Sequence, residues 1–287
     1  MAKVLSGKEV IASMKEKMTA RTEALKARGV TPSMCIIRVG ARPDDLAYER
    51  GARKRMESVG VKLDVLELPE DIQQSLFQRE FQRVNEDPAV HGIMLFRPLP
   101  SQLSDEPIAR AIDPVKDVDC MGPVNIAKVF SGDPTGHAPC TAQAVMEMLD
   151  HYDVDLTGKN VTVVGRSMVV GKPLSMMLQK KNATVTMCHT RTLDLAAECR
   201  RADIICAAAG HAGMITADMV STGAIVIDVG INVNEEGKLC GDVAYDEVAA
   251  KLGEAGAVSP VPGGVGGVTS SVLTEHVIRA AEMMYGI

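Results

Sequence analysis

The feature that most constrains this chain is an alternation. Short apolar, β-branched runs take turns with helical stretches along nearly all of its 287 residues, and Gly or Pro punctuates the joins. Parallel strands need long crossover connections, so this rhythm specifies an α/β fold with a mostly parallel sheet covered by helices. In the first third, helical spacing of apolar residues runs over 6–28 and stops at Gly29, and 34–39 is a buried strand ending at Gly40. A helix over 44–58 stopped by Gly60, a strand over 62–68, a helix over 75–85 and a strand over 92–96 follow. Residues 113–139 read as a long loop, and Thr141 is placed to cap a helix that runs to His151. The rhythm then restarts with a strand over 160–164, a helix over 171–181, a strand over 183–188, a helix over 193–201 and strands over 203–208 and 224–229. This second half is a Rossmann-like pattern. An amphipathic helix over 270–284 closes the chain. The expected organisation is an N-terminal α/β domain over 1–145, with the 270–287 helix packing back on it, and a Rossmann-like domain over 146–269.

Composition narrows the partners. The net charge of −6, with no basic run interleaved with aromatics, argues against nucleic acid. No apolar run reaches the length of a membrane span, and the N-terminus has no signal-peptide core, so no membrane and a cytoplasmic location are expected. Seven scattered Cys, an odd number without a CxxC pair, fit a reducing compartment, and no tight His, Cys or carboxylate spacing predicts a metal. With no Trp, the 17 Met read as adaptable core filler.

Chemistry first shows in VVGRSMVVGKP, the turn after the 160–164 strand. Gly165 lets the chain turn sharply, and Gly171 opens a helix with Pro173 in its first turn. The N–H groups and positive dipole end of that helix suit a pyrophosphate. The spacing is not GxGxxG, so alone it is a weak signal. The next strand end strengthens it. NAD-binding folds place a carboxylate there for the ribose 2′-hydroxyl, whereas this chain reads CHTRT, with His189, Thr190 and Arg191 and no carboxylate before Asp194. Arg166 and Ser167 lie just past the first turn glycine. Guanidinium groups and a hydroxyl there match a 2′-phosphate, so NADP is expected over NAD.

Further motifs fall in the order and spacing of one family. These are RVG at 38–40, Tyr48, PLP at 98–100, KDVD at 116–119, PCT at 139–141, IVIDVGIN with GDV at 241–243, and SPVPGGVGGVT. With the cofactor turn, they resemble the methylenetetrahydrofolate dehydrogenase/cyclohydrolase family over nearly the whole chain. The resemblance implies an N-terminal folate-binding domain, an NADP-binding domain, an active-site cleft between them and a homodimer. It implies oxidation of 5,10-methylenetetrahydrofolate, with tetrahydrofolate as the one-carbon carrier. It also places Tyr48, Phe96, Pro98, Asp119, Pro262, Gly263 and Gly264 at the substrate, and Gly230, Ile231 and Thr269 at the cofactor. Arg42, Arg50 and Arg53 are candidates for the folate tail.

The departures from that pattern bear on the second, hydrolytic activity. The family's catalytic Lys, four residues after the Tyr, is Ala52 here, and its Gln is Phe96. Asp45 replaces a Ser, Cys120 a Gly and Gly267 a Pro. Hydride transfer rests on positioning and on the push of a substrate nitrogen, whereas hydrolysis needs a proton moved. The expectation is a dehydrogenase with Tyr48 and Asp119 as its site residues and weak or absent cyclohydrolase activity. Two alternatives stand beside it: an ordinary bifunctional enzyme in which Lys54 or Arg53 reaches the site, and a pterin-binding paralogue without family turnover.

Overall fold

The computed structural model describes residues 1–234 and 236–287. By contacts the chain divides into two compact units, one of residues 1–12 with 141–269, the other of residues 13–140 with 270–287. The first twelve residues thus group with the Rossmann-like half, not with the N-terminal half where the sequence reading put them. The reason is a pairing that the sequence hides: β1 (Lys3–Val4) adds to β11 (Ala257–Val258) as a parallel edge strand.

In the unit of residues 13–140 and 270–287, three parallel strands lie in the order β3-β2-β4, with β2 (Ser33–Val39) between β3 (Lys62–Leu68) and β4 (Gly92–Leu95). Every residue of β2 is buried, Ser33 and Arg38 included, as the apolar run Met34–Ile37 predicts for a central parallel strand. Helix α1 (Gly7–Ala27) precedes β2, and α2 (Pro43–Glu57) and α3 (Gln74–Glu86) supply the crossovers. On α3, Phe77, Phe81 and Val84 recur at helical spacing and pack with Ile37, Ile93 and Ile108 in one apolar core.

The expected loop over 113–139 is interrupted by a helix. After α4 (Glu106–Ala111), α5 spans Pro123–Ser131, with Pro at its start and the left-handed Gly132 at its end. These are ordinary start and stop signals, missed because the surrounding polar turns masked a nine-residue helix. Helix α6 (Cys140–His151) begins one residue before the expected Thr141 cap. A distant carboxylate takes that role: the Cys140 backbone N–H donates to Asp119 Oδ1 at 3.1 Å.

Two buried imidazoles lie in the same unit, His137 and His276, with ring centroids 4.9 Å apart. Burial depresses both pKa values, and Arg279 adds to it for both. Both rings are therefore neutral when folded and basic when unfolded. Their stabilising contribution is complete above about pH 6.5, the free imidazole value, and declines as pH drops below it. We expect this unit to lose about 1.4 kcal/mol through His137 between pH 7.5 and pH 5.5, with a further loss of the same sign from His276. Urea midpoints at the two pH values check this, and equal midpoints would contradict it.

In the unit of residues 1–12 and 141–269, six parallel strands run in the order β6-β5-β7-β8-β11-β1, built on β5 (Asn160–Val164), β6 (Thr184–Cys188), β7 (Ile204–Ala207) and β8 (Ile225–Asp228). The chain goes from β5 outward to β6 and then back to β7 on the other side of β5, so the strand order reverses beside β5. The carboxyl ends of strands at such a reversal are where ligands bind in open α/β sheets. Helices α7 (Gly171–Lys180) and α8 (Leu195–Arg200) follow β5 and β6. Antiparallel β9 (Asn232–Val233) and β10 (Leu239–Cys240) and helix α9 (Tyr245–Leu252) lie between β8 and β11 and were not expected from sequence. The last helix, α10, spans Val265–Tyr285 and so starts five residues before the expected 270. Glycine's poor helix propensity hid its first turn, which contains Gly266 and Gly267. No helix of the described residues is long and apolar enough to cross a membrane.

Candidate functional site

Of the folate-side candidates, Tyr48, Phe96, Pro98 and Asp119 lie in the unit of residues 13–140 and 270–287. Tyr48 sits on α2 and Phe96 just beyond β4, and their rings meet edge to face with centroids 5.6 Å apart. Burial pushes the Tyr48 phenol well above its ordinary pKa, with Cys140 and Asp119 adding to the rise. Tyr48 is therefore a neutral ring and a hydrogen-bond donor, not a base. Ala52 is buried one helical turn further along α2, on the Tyr48 face. Helix α2 is unbroken across this stretch, and Lys54 is exposed. Arg53 Nη1 donates to the Leu63 carbonyl at 2.9 Å, and Nη2 lies 3.6 Å from Glu49. Neither basic residue is turned to where the family's Lys would stand.

Asp119 is held at the start of α6, where the helix dipole favours a carboxylate. Behind it, Cys140 Sγ is 3.4 Å from the Val118 carbonyl and 3.8 Å from His276 Nδ1, which is itself 2.8 Å from that carbonyl. Burial first, and then Asp119, raises the Cys140 thiol far above its ordinary pKa, so it is an inert packing group. The neighbouring Asp117 is buried and accepts from the Met121 and Gly122 N–H groups and from Asn125 Nδ2. Cys120, at the family's Gly, keeps the left-handed backbone with φ of 57°.

Pro98, after a cis peptide, borders a cavity of about 390 Å³ together with Gly40, Arg42, Glu70 and Pro100. Of the three tail candidates, Arg42 is tied to Asp45 by two hydrogen bonds of 2.9 Å, Arg53 is engaged as above, and Arg50 is exposed.

The dinucleotide-side candidates lie at the carboxyl ends of β5, β6, β8 and β11. Gly165 has φ of +140°, and a Cβ there would lie 2.3 Å from the Ala208 carbonyl oxygen at the end of β7. A Cβ on Gly171 would lie 2.1 Å from the Gly165 carbonyl oxygen. Only glycine fits at either position, and the two bring the start of α7 against the end of β5. Pro173 is buried in the first turn of α7, and Ser167 Oγ accepts from the Val170 N–H at 3.0 Å. The missing side chains leave a close-packed backbone cradle at the N-terminal end of α7, whose dipole suits a pyrophosphate. Arg166 and Ser167 are exposed at its rim, as are Thr190 and Arg191 past β6. The Arg191 N–H donates to His189 Nδ1 at 3.1 Å. Helix α8 starts at Leu195 behind an Asp194 cap, two residues later than expected, because the Asp194 carboxylate accepts from the Ala197 N–H. Arg191 therefore stands outside the helix.

Gly230, Ile231, Pro262, Gly263 and Gly264 border one cavity of about 210 Å³ with Asp228, Leu239 and Gly266. Thr269 lies one turn into α10, where its hydroxyl is 3.4 Å from the Val265 carbonyl. The sequence reading missed the two buried carboxylates behind this cavity, Asp228 and Asp242. Glycine lies within two residues of each, in IDVG and GDV, but that pattern also fits an exposed turn and does not by itself mark a buried carboxylate.

Comparison with known proteins identifies the family. Residues 5–119 match the model for the tetrahydrofolate dehydrogenase/cyclohydrolase catalytic domain, and residues 139–285 match that for the NAD(P)-binding domain of the same family. The chain is 47% identical over 287 residues to the bifunctional protein FolD of Alkaliphilus oremlandii, covering all of both chains. It is 50% identical over 280 residues to that of Clostridioides difficile, covering 98% of this chain and 96% of the relative. Among solved structures it is similar to the bifunctional FolD of Campylobacter jejuni, with a TM-score of 0.95, 37% identity and 99% of each chain covered. It is also similar to the Trypanosoma brucei enzyme complexed with NADP and inhibitor, with a TM-score of 0.90, 34% identity and 100% and 99% covered.

Proposed function

Because the chain belongs to the tetrahydrofolate dehydrogenase/cyclohydrolase family, we propose that it oxidises 5,10-methylenetetrahydrofolate with NADP. The observation that carries this reading is the Gly165–Gly171 cradle at the strand-order reversal, with Arg166 and Arg191 exposed beside it. In this reading Gly165, Ser167, Gly171 and Pro173 receive the pyrophosphate, and Arg166, His189, Thr190 and Arg191 the 2′-phosphate. Gly230, Ile231, Pro262, Gly263, Gly264 and Thr269 border the nicotinamide and the folate. Bound NADP supplies the hydride acceptor. The chain's own part is positional: Tyr48, Phe96 and Pro98 offer apolar surface to the folate rings, and Asp119 accepts from the amino edge of the pterin. A homodimer and a cytoplasmic location belong to the same proposal and rest on the family alone.

The NADP preference draws support from the missing carboxylate after β6 and from the NADP complex of the trypanosomal relative. Arg191→Ala and Arg166→Ala are each expected to weaken NADP about tenfold, the loss of one charge-assisted contact, and to leave NAD within twofold. Steady-state KM values for both dinucleotides check it, and an equal loss for both would count against a 2′-phosphate site.

The relatives' names support a second activity, methenyltetrahydrofolate hydrolysis, and on those names the ordinary bifunctional enzyme is the better-supported assignment. One observation favours a narrower reading in which hydrolysis is weak: Ala52 and Phe96 stand where an ionisable and an amide side chain are needed, with Lys54 exposed and Arg53 otherwise bonded. The decay of preformed 5,10-methenyltetrahydrofolate at neutral pH separates the two. Decay that speeds up in proportion to added protein establishes the bifunctional enzyme. Decay at the spontaneous rate establishes the narrower reading.

A further inference from the structure

Two buried carboxylates that take no part in the chemistry above organise the cavity bordered by Gly230 and Ile231. Asp242 is fully buried. Its Oδ2 accepts from the backbone N–H groups of Ala209 at 2.6 Å and Gly210 at 2.9 Å, and its Oδ1 from the His211 N–H and Asn232 Nδ2, both at 2.9 Å. Asp228 Oδ1 accepts from the Gly230 and Asp242 N–H groups and Oδ2 from that of Val243, all at 3.0 Å. The glycines are pressed onto these carboxylates. A Cβ on Gly230 would lie 2.2 Å from Asp242 Oδ1, and one on Gly241 would lie 1.8 Å from Asp228 Oδ2.

The loop after β7, the loop after β8 and the segment before α9 are thus keyed to one pair of acids. Hydrogen bonds to a buried carboxylate are roughly twice as strong as neutral ones, and removing a partner leaves the charge undersatisfied. The backbone donors to Asp242 cannot be mutated, but Asn232, on the partly exposed strand β9, can be.

We propose that the Asn232–Asp242 hydrogen bond positions the Gly230–Ile231 wall of the cavity and thereby sets affinity for the dinucleotide. Asn232 and Asp242 are positioning residues: they act through Gly230 and Ile231. This deepens the dehydrogenase reading and rests on it.

Asn232→Asp tests the idea because it turns an attraction into a like-charge contact that a proton can repair. Two adjoining carboxylates cannot both ionise cheaply, so the pair holds one proton at low pH and rejoins through an O–H···O bond. The other titratable groups facing the pair are Asp228, behind Gly230, and His211, whose Nδ1 is 3.0 Å from the Ala209 carbonyl. Both are present in the wild type, as is the titrating 2′-phosphate of NADPH, so the ratio of variant to wild type at each pH isolates the new carboxylate.

The Kd of NADPH, read by its fluorescence without turnover, is expected to be about tenfold higher in Asn232→Asp at pH 8.0 and within threefold of wild type at pH 5.5. Asn232→Ala, which loses the bond without adding charge, is expected to show a rise of about threefold at both pH values, and it keeps the test open should the Asp variant not fold. The KM for methylenetetrahydrofolate should stay within twofold in both variants. Unchanged NADPH affinity in both, or equal losses for NADPH and folate, would overturn the proposal alone. A wild-type protein that binds no NADPH would overturn the dehydrogenase reading along with it.

Discussion

Ala52→Lys combined with Phe96→Gln is expected to raise methenyl hydrolysis about 100-fold or more and to leave hydride transfer within a few-fold. A positioned acid or base contributes about 10² to 10⁴ in rate, which sets the size of the effect. The geometry places the new lysine well. Position 52 is buried one turn after Tyr48 on the same face of α2, and burial lowers a lysine pKa towards the range useful for catalysis. Ala52→Lys alone is expected to do less, because the Phe96 ring against Tyr48 offers the amine no partner. The double variant gives up an aromatic contact worth about 1 kcal/mol, so thermal melts should accompany the assay. If the wild-type protein already hydrolyses the methenyl substrate as fast as the double variant, positions 52 and 96 do not carry hydrolysis, and the ordinary bifunctional enzyme stands.

The second large effect is steric. Gly171→Ala is expected to destabilise the dinucleotide unit by about 3 kcal/mol and to abolish NADP binding. The added methyl would lie 2.1 Å from the Gly165 carbonyl oxygen, 2.5 Å from that carbonyl carbon and 2.8 Å from the Arg166 Cα. All three are backbone atoms, so no side chain can swing aside. The relief available is to move α7 off the end of β5, which opens the pyrophosphate cradle. Gly51→Ala is the matched control. It lies within α2 with nothing inside 4 Å of its Cβ, and it is expected to gain up to about 1 kcal/mol from helix propensity. Denaturant midpoints and NADPH titration of the two variants check the contrast, and a Gly171→Ala protein that binds NADPH normally would contradict it.

Much of the sheet architecture was legible in the sequence, because a buried parallel strand is written as a contiguous apolar run. Met34–Val39 and Asn160–Val164 both read directly in that way. The Gly165 turn was legible too, since the physical demand for a missing Cβ leaves a glycine behind. The features that were not legible depend on partners distant in sequence. Lys3–Val4 is two residues long, and only its pairing with Ala257–Val258 makes it a strand. The cap of α6 comes from Asp119, 21 residues away, so reading Thr141 as a local cap was reasonable and wrong. The first turn of α10 contains glycines that propensity disfavours, and packing overrides the propensity. In the site, Tyr48, Ala52 and Phe96 were singled out by the resemblance to a known family, not by any local pattern. The Asp228–Asp242 clasp was not legible, because an aspartate next to glycine also fits a solvent-exposed turn.

One measurement tests the proposed activity most directly: the purified protein mixed with 5,10-methylenetetrahydrofolate and NADP, with NADPH and methenyl absorbance followed together. NADPH and methenyltetrahydrofolate should appear in equal amounts at first, faster with NADP than with NAD. If neither product appears with either dinucleotide, the protein is not a methylenetetrahydrofolate dehydrogenase, and the Tyr48–Phe96 face serves a different ligand.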